Sequence, residues 1–266
     1  KKRQIKIKNT LKFLTDTSKI FRKNINTKII AITGSCGKTT LKELLGNSFK
    51  QISKVGISPK SYNNKYGVPL SLFNLDQKNN YGVLEIGMDK KGEIDYLSKI
   101  VKPDVSVITN INYAHAKNFK NLRQIALAKS EIINNTEVNG SIVLNADDTF
   151  FALHKKIANK RKLKILSFGI NNQNANIKLI SIKKITNKFK VTIMINNFKT
   201  YFFISSNFQN HILNILAALT VMSVFLDISK LNKNIFMSFK TPNGRGDITK
   251  IKINNKKLNL IDESYN

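Results

Sequence analysis

The sequence predicts an α/β fold: a mostly parallel sheet flanked by helices, with a small antiparallel β segment. Three observations carry that reading. A glycine turn at Gly34–Gly37 joins an apolar run, "KIIAIT", to a helical pattern that begins near Thr39. Apolar runs then alternate with helical spacing as far as Phe168. Beyond Asn171 the pattern changes to short alternating segments separated by polar pairs. Apolar strands separated by helices are what a parallel sheet buried on both faces requires.

Taken in order, "NTLKFLTDTSKIFRK" has apolar residues at helical spacing from Asn9 to Lys23, with Asn9 placed to cap it. Lys28–Thr33 is a strand and Thr39–Lys50 a helix. Tyr81–Ile86 is a strand, Glu93–Ile100 a short helix stopped before Pro103, and Asp104–Thr109 a strand. Leu122–Asn134, Ser141–Asn145, Thr149–Lys160 and Leu163–Phe168 continue as helix, strand, helix and strand. "ANIKLISIKKITNKFKVTIMINNFKTYFFIS" gives two or three antiparallel strands. Helices near His211–Leu226 and Ser229–Phe239 follow. "TPNGRGD" then breaks the chain, and strands Ile248–Ile253 and Lys257–Ile261 close it. No internal repeat is present.

The chain has 266 residues, of which 41% are hydrophobic, enough to bury a substantial core. Its formal net charge is +29. Such an excess raises the question of nucleic acid or an anionic membrane surface. The lysines are scattered among many Asn and Ile, however. A compositional drift of the kind an AT-rich genome produces explains that spread better than a binding stripe, so no nucleic-acid partner is expected. Cys36 is the only cysteine, so an intrachain disulfide is impossible and a reducing compartment fits. No run approaches the ~20 apolar residues of a membrane span. The basic start, "KKRQIKIKNT", leads into no signal-peptide apolar core. A cytoplasmic, monomeric protein without membrane insertion is the expectation.

"AITGSCGKTTLKE" supplies what a phosphate cradle needs. Gly34 and Gly37 let backbone N–H groups turn towards an anion, and Ser35 and Thr40 flank them. Lys38 reaches the β- and γ-phosphates, and the Thr39 hydroxyl is placed to ligate Mg²⁺. The full eight-residue spacing would begin with glycine at position 32, which is Ile32, so the loop is a shortened form. Glu85 sits near the carboxyl end of its strand, where ligands of open α/β sheets bind. It is either a Mg²⁺ ligand, directly or through water, or a partly exposed strand-end charge. Asn110 and His115 follow the next strand, although position alone does not lift His115 above a solvated loop residue. Lys129 falls within the apolar stripe Leu122, Ile125, Ala126, Ile132 and Ile133. A lysine there must snorkel, pair or be chemically changed, and snorkelling is the cheaper reading.

These stretches, taken together, resemble the Mur ligases. The resemblance spans almost the whole chain: "TGSCGKTT", "SYNNKYGVPLSL", "VLEIGMDKKGEI", "TNINYAHAKNF", "IALAKSEI", "LNADD", "NHILNILAAL", "GRGD" and "IDESYN". A phosphate loop alone is common; this ordered series is specific. "NNKYGVPL" with "DESYN" points to the members that add D-Ala-D-Ala to UDP-N-acetylmuramoyl-tripeptide.

The resemblance implies ATP-dependent amide formation in peptidoglycan precursor synthesis through an acyl phosphate, with two Mg²⁺ ions. Lys38 would hold the β/γ-phosphates, while Thr39 and Glu85 hold the first Mg²⁺. His115 would ligate the second, and Lys129 matches the family lysine that becomes carbamylated. Asn214 matches an adenine contact, Arg245 a phosphate-side arginine, and Asp262 or Glu263 an acidic nucleotide contact. Asn63 and Asn64 lie where the family meets its muramyl-peptide substrate. The family usually places His four residues before the adenine asparagine with Asn after it. Here the order is Asn210 then His211, which leaves the adenine contacts open. The implied organisation is a remnant of an N-terminal substrate domain with its linker helix (1–26), a central ATP-binding domain (27–246) and the start of a truncated C-terminal domain (247–266). Such a fragment is expected to have little or no ligase activity alone. The competing readings are another Mur-type ligase or folylpolyglutamate synthetase, a nucleic-acid-dependent P-loop ATPase, and a non-catalytic nucleotide-sensing partner.

Overall fold

The computed structural model describes residues 6–113, 116–205, 208, 211–253 and 256–264. Among the described residues, one nine-stranded sheet runs in the order β2-β3-β1-β4-β5-β6-β7-β8-β9. Its strands are β1 (Lys28–Thr33), β2 (Val55–Ile57), β3 (Tyr81–Glu85), β4 (Val105–Ile108), β5 (Ser141–Asn145), β6 (Lys164–Gly169), β7 (Ile177–Ile185), β8 (Lys188–Ile195) and β9 (Phe198–Ser205). Pairing is parallel from β2 through to β7 and antiparallel from β7 to β9. The antiparallel segment is therefore an extension of the main sheet, joined to it where Phe168 pairs with Ile177. Among the described residues two further strands, β10 (Asp247–Ile253) and β11 (Lys256–Asp262), pair only with each other.

Alternation along β1 divides the core. Ile30 and Ile32 face α2 (Lys38–Lys50) and α7 (Ile212–Met222), whose Leu41, Leu45, Phe49, Leu216 and Leu219 are fully buried. Ile29 and Ala31 face the opposite layer of α3 (Gly67–Phe73), α4 (Glu93–Val101), α5 (Leu122–Asn134) and α6 (Phe151–Lys160). Helix α1 (Thr10–Lys23) starts at Asn9, whose side chain accepts from the Lys12 N–H at 2.9 Å. Arg22 ties α1 to the sheet: it donates to the Val101 carbonyl and to Asp104, which also accepts from Lys28 and from the Ile29 N–H. The apolar strand and helix periods thus produce a helix–sheet–helix sandwich with the ligand end of β1 at its centre.

The sequence reading differs from the structure at several elements. The expected helix Ser229–Phe239 is a single 3₁₀ turn, Ile228–Lys230, followed by turns. Asp227 caps the start of the turn, taking the Ser229 N–H and hydroxyl, but Leu231 is extended (φ −66°, ψ 146°) and the Asn232 side chain takes the Asn234 N–H, so the helix stops after one turn. The helix near His211–Leu226 is shorter, spanning Ile212–Met222. Strand β2 and helix α3 were not expected. A three-residue edge strand has too short a period to read, and α3 carries Pro69 in its first turn, a position proline tolerates.

Candidate functional site

β1 lies between β3 and β4, so the chain leaves β1 towards one edge of the sheet and β4 towards the other. The crevice at their carboxyl ends is where open α/β sheets place ligands. Residues Gly34–Gly37 occupy it and feed into α2. Gly34 has φ +148°, and a Cβ there would lie 1.8 Å from Thr109 Oγ1; Gly37 has φ +81°. Both positions therefore need glycine.

The segment after β4 braces the loop. Thr109 Oγ1 donates to the Cys36 carbonyl at 2.6 Å, and the Asn110 side chain accepts from the Cys36 N–H at 3.0 Å. The Asn110 carbonyl accepts from the Ser35 N–H at 3.0 Å. Ser35 Oγ donates to the Asn112 carbonyl and accepts from the Asn112 N–H, each at 2.8 Å. Asp148 holds this brace in turn, accepting from the Ile111 N–H at 2.7 Å.

Lys38 folds back over the loop, its Nζ donating to the Gly34 carbonyl at 2.9 Å. Lys129 reaches the same carbonyl from α5 at 3.0 Å. Lys129 is only 2% exposed, so the snorkelling expected of it does not occur: its helix face is covered by the loop itself. Burial, and then the positive charge of Lys38, push its pKa from 10.5 down to about 7, with a smaller opposing contribution from Cys36. A large share of this amine is therefore unprotonated near neutrality.

Glu85 is 2% exposed, which replaces the reading of a partly exposed strand-end charge. One carboxylate oxygen accepts from the Thr39 hydroxyl at 2.6 Å and the other from the Asn63 amide at 2.8 Å. No cationic side chain pairs with it among the described residues. A buried carboxylate without a counter-charge, beside a hydroxyl, fits a hard divalent cation, while the loop's N–H groups fit phosphate oxygens. Among the described residues no three His, Cys, Asp or Glu side chains gather as a cage. Mg²⁺ does not require one, since it keeps water and phosphate oxygens as ligands.

Two cavities meet at the loop. A cavity of 780 Å³ is lined by Lys38, Asn63, Asn64, Lys65, Tyr66 and Met88, among others. The second, of 440 Å³, is lined by Gly37, Thr40, Asn110, Asn214, Arg245 and Glu263, with His211. Asn214 approaches the loop so closely that a Cβ on Gly37 would stand 2.9 Å from its Oδ1. His211 stacks on Phe208, and burial pushes its pKa down while Glu263 pulls it back up. Of the two acidic candidates, Glu263 lines the cavity; the Asp262 carboxylate instead accepts from the Ser264 N–H at 2.9 Å. His115 and Asn210 lie outside the described residues. Sequence reasoning missed Thr109, Asp148 and Lys42. Only Lys42 carried a signal, standing three and seven residues before Leu45 and Phe49 on the buried stripe of α2.

Fold and loop together define an α/β domain of the phosphate-loop class. Residues 32–222 match the family described as the Mur ligase middle domain, and the chain belongs to that family. It is 32% identical over 266 residues to the UDP-N-acetylmuramoyl-tripeptide–D-alanyl-D-alanine ligase of Buchnera aphidicola subsp. Baizongia pistaciae, a match covering 99% of this chain and 56% of the relative. Against the ligase of the same name from Rickettsia prowazekii the identity is 31%, covering 98% and 58%. The structure superposes on MurF from Acinetobacter baumannii with a TM-score of 0.87 at 28% identity, covering 99% of this chain and 56% of that one. For the MurF ligase of Thermotoga maritima in complex with ADP the TM-score is 0.84 at 27% identity, covering 100% and 60%. The chain thus spans a little over half the length of these relatives.

Proposed function

We propose that this chain is the nucleotide-binding core of an ATP-dependent, ADP-forming amide ligase of peptidoglycan precursor synthesis, which joins D-Ala-D-Ala to UDP-N-acetylmuramoyl-tripeptide. The observation that carries the proposal is the loop standing as the shared wall of two cavities, with Lys38 on one side and Gly37 and Thr40 on the other. A γ-phosphate held there faces both the nucleotide side and a second compartment large enough for a peptide carboxylate. The named relatives are ligases of this kind, and one related structure is a complex with ADP.

In this reading Asn214, Arg245 and Glu263 hold the nucleotide, with Asp262 as neighbour, and the N–H groups from Gly34 to Thr40 cradle its phosphates. Thr39 and Glu85 would hold one Mg²⁺, and His115 with carbamylated Lys129 a second; these ions supply neutralisation of crowded oxygen charge. Lys38 stabilises charge on the transferred phosphoryl group as a substrate carboxylate oxygen attacks phosphorus and ADP departs. The dipeptide amine then attacks the acyl carbon, phosphate leaves and the amine loses a proton. Lys129 suits carbamylation because a large share of its amine is unprotonated near neutrality: nitrogen bonds to the carbon of CO₂, a proton goes to solvent, and the product is anionic beside Lys38. Asn63 and Asn64 face the muramyl-peptide compartment.

The proposed organisation assigns 1–26 to the last part of a substrate domain with its linker helix, 27–246 to the central domain and 247–266 to the start of a C-terminal domain. The enzyme is placed in the cytoplasm as a monomer. Among the described residues no helix is long and apolar enough to cross a membrane. The test is ADP release and pentapeptide formation from both substrates, measured on this chain and on the same sequence joined to the flanking domains of a full-length relative. Product from the joined protein alone is expected. A joined protein that binds ATP but refuses the muramyl tripeptide would overturn the substrate assignment, and coupled turnover by this chain alone would overturn its inactivity.

A further inference from the structure

Lys42 is fully buried, yet nothing in the phosphate chemistry uses it. Its ammonium has three protons to donate. One goes to the Ser58 carbonyl at 2.7 Å, one to the Lys60 carbonyl, and the third faces Glu43 Oε1 at 3.1 Å. All three are spoken for within the protein, so Lys42 is neither a base nor a ligand contact. Burying an ammonium costs several kcal/mol before pairing, and an apolar side chain would fill the same space at lower cost. What the charge adds is a directional hold on two particular carbonyls.

Those carbonyls begin the segment that forms one wall of the larger cavity. Ser58 is also fixed to β3: its N–H donates to the Val83 carbonyl at 2.9 Å, and its hydroxyl accepts from the Glu85 N–H at 3.3 Å. Lys60 turns the chain with φ +43°. Tyr62 then donates to the Pro59 carbonyl at 3.0 Å and Asn63 to Ser61 at 2.8 Å. Asn63 closes on the strand end at two points: its carbonyl accepts from the Gly87 N–H at 2.8 Å and its amide reaches Glu85. The turn from Ser58 to Asn63 is thus fastened at its start by Lys42 and at its end by Glu85. Both fastenings trace back to α2, through Lys42 directly and through Thr39 by way of Glu85.

We infer that Lys42 is a positioning residue for the peptide-substrate compartment. It locks the Ser58–Asn63 turn to the phosphate-loop helix, so that Asn63 and Asn64 are set relative to the site of phosphoryl transfer. The inference rests on the ligase reading for what fills that compartment, but the lock itself is independent of it.

Two measurements separate the lock from the ligase reading. In this chain, amide hydrogen exchange is followed across 57–66 in wild type, Lys42→Met and Lys42→Arg, alongside affinity for a fluorescent ATP analogue. Lys42→Met is expected to speed exchange in that segment by tenfold or more while analogue affinity stays within about threefold. Lys42→Arg, which keeps the charge, is expected to recover most of the protection. Unchanged exchange in folded Lys42→Met would overturn the inference, as would analogue binding lost in step with protection. In the protein joined to its flanking domains, Lys42→Met should raise KM for the muramyl tripeptide by about tenfold and leave KM for ATP nearly constant, and Lys42→Arg should recover most of that rise. Should Lys42→Met fail to fold, Lys42→Gln, which has no charge and reaches fewer carbonyls, takes its place: equal shifts in both KM values, or none, would sink the idea. A joined wild type with no ligase activity would count against the ligase reading alone, and the exchange data would still judge the lock.

Discussion

Lys129→Met tests the burial of Lys129 through the pH dependence of stability. In the folded chain this amine loses its proton near pH 7, whereas in the unfolded chain it does so near 10.5. Between those values the unfolded state carries a proton that the folded state has released, so stability rises with pH across that window. The penalty for burying Lys129 is at its full size below pH 7 and vanishes above 10.5. At 1.36 kcal/mol per unit, the step from pH 7 to pH 9 relieves about 2 kcal/mol, after allowing for half-protonation of the folded state at pH 7. Methionine has a similar length and no titrating group. Urea denaturation of wild type and Lys129→Met at both pH values, in CO₂-free buffer, should show the wild type gaining about 2 kcal/mol on the variant at the higher pH. A stability difference that does not move with pH would refute the reasoning, because it would mean the amine keeps an ordinary pKa. Adding bicarbonate near pH 8 should then raise the wild-type melting temperature and add the mass of one CO₂, with neither change in the variant.

Gly34→Ala forces a Cβ to 1.8 Å from Thr109 Oγ1 at a φ of +148°. It should cost about 3 kcal/mol, from roughly 2 of backbone strain and 1 for the displaced Thr109–Cys36 hydrogen bond. Adding Thr109→Ala removes the hydroxyl that the new Cβ displaces and the same hydrogen bond with it, so the double variant should be about as unstable as Gly34→Ala alone, a non-additivity readable in chemical denaturation. Glu85→Gln keeps the shape but removes the charge, and should weaken the Mg²⁺-dependent part of nucleotide binding by roughly 10- to 100-fold with little effect on binding in EDTA. Asp104→Asn weakens the contacts of Arg22, Lys28 and the Ile29 N–H together, and should destabilise the fold by about 2 kcal/mol without changing nucleotide affinity.

The parallel half of the sheet was legible because its strands are apolar on both faces and its helices keep one stripe, as Ile29 to Ile32 and Leu41 to Phe49 illustrate. The Ser229–Phe239 error arose because apolar spacing there is helical and Asp227 caps a start, while the extended Leu231 and the Asn232 side chain on the Asn234 N–H end the helix after one turn. Gly34, Lys38, Thr39 and Glu85 stood out because phosphate chemistry restricts residue type and spacing. Thr109 and Asp148 did not, since bracing a loop from a neighbouring strand leaves no period in the sequence. Lys129 was visible as an anomaly on its helix, but only the fold shows that the phosphate loop closes over it and forbids snorkelling. Lys42 presented the same anomaly on α2 and went unread, because nothing nearby in sequence hinted at carbonyls sixteen and eighteen residues away.

The most direct test of the central claim is equilibrium binding of a fluorescent ATP analogue to this chain, with and without Mg²⁺, beside Lys38→Ala. The account predicts saturable binding that strengthens with Mg²⁺ and falls at least tenfold in the variant. Binding by wild type and Lys38→Ala with equal affinity, or no binding by a chain shown to be folded, would contradict it.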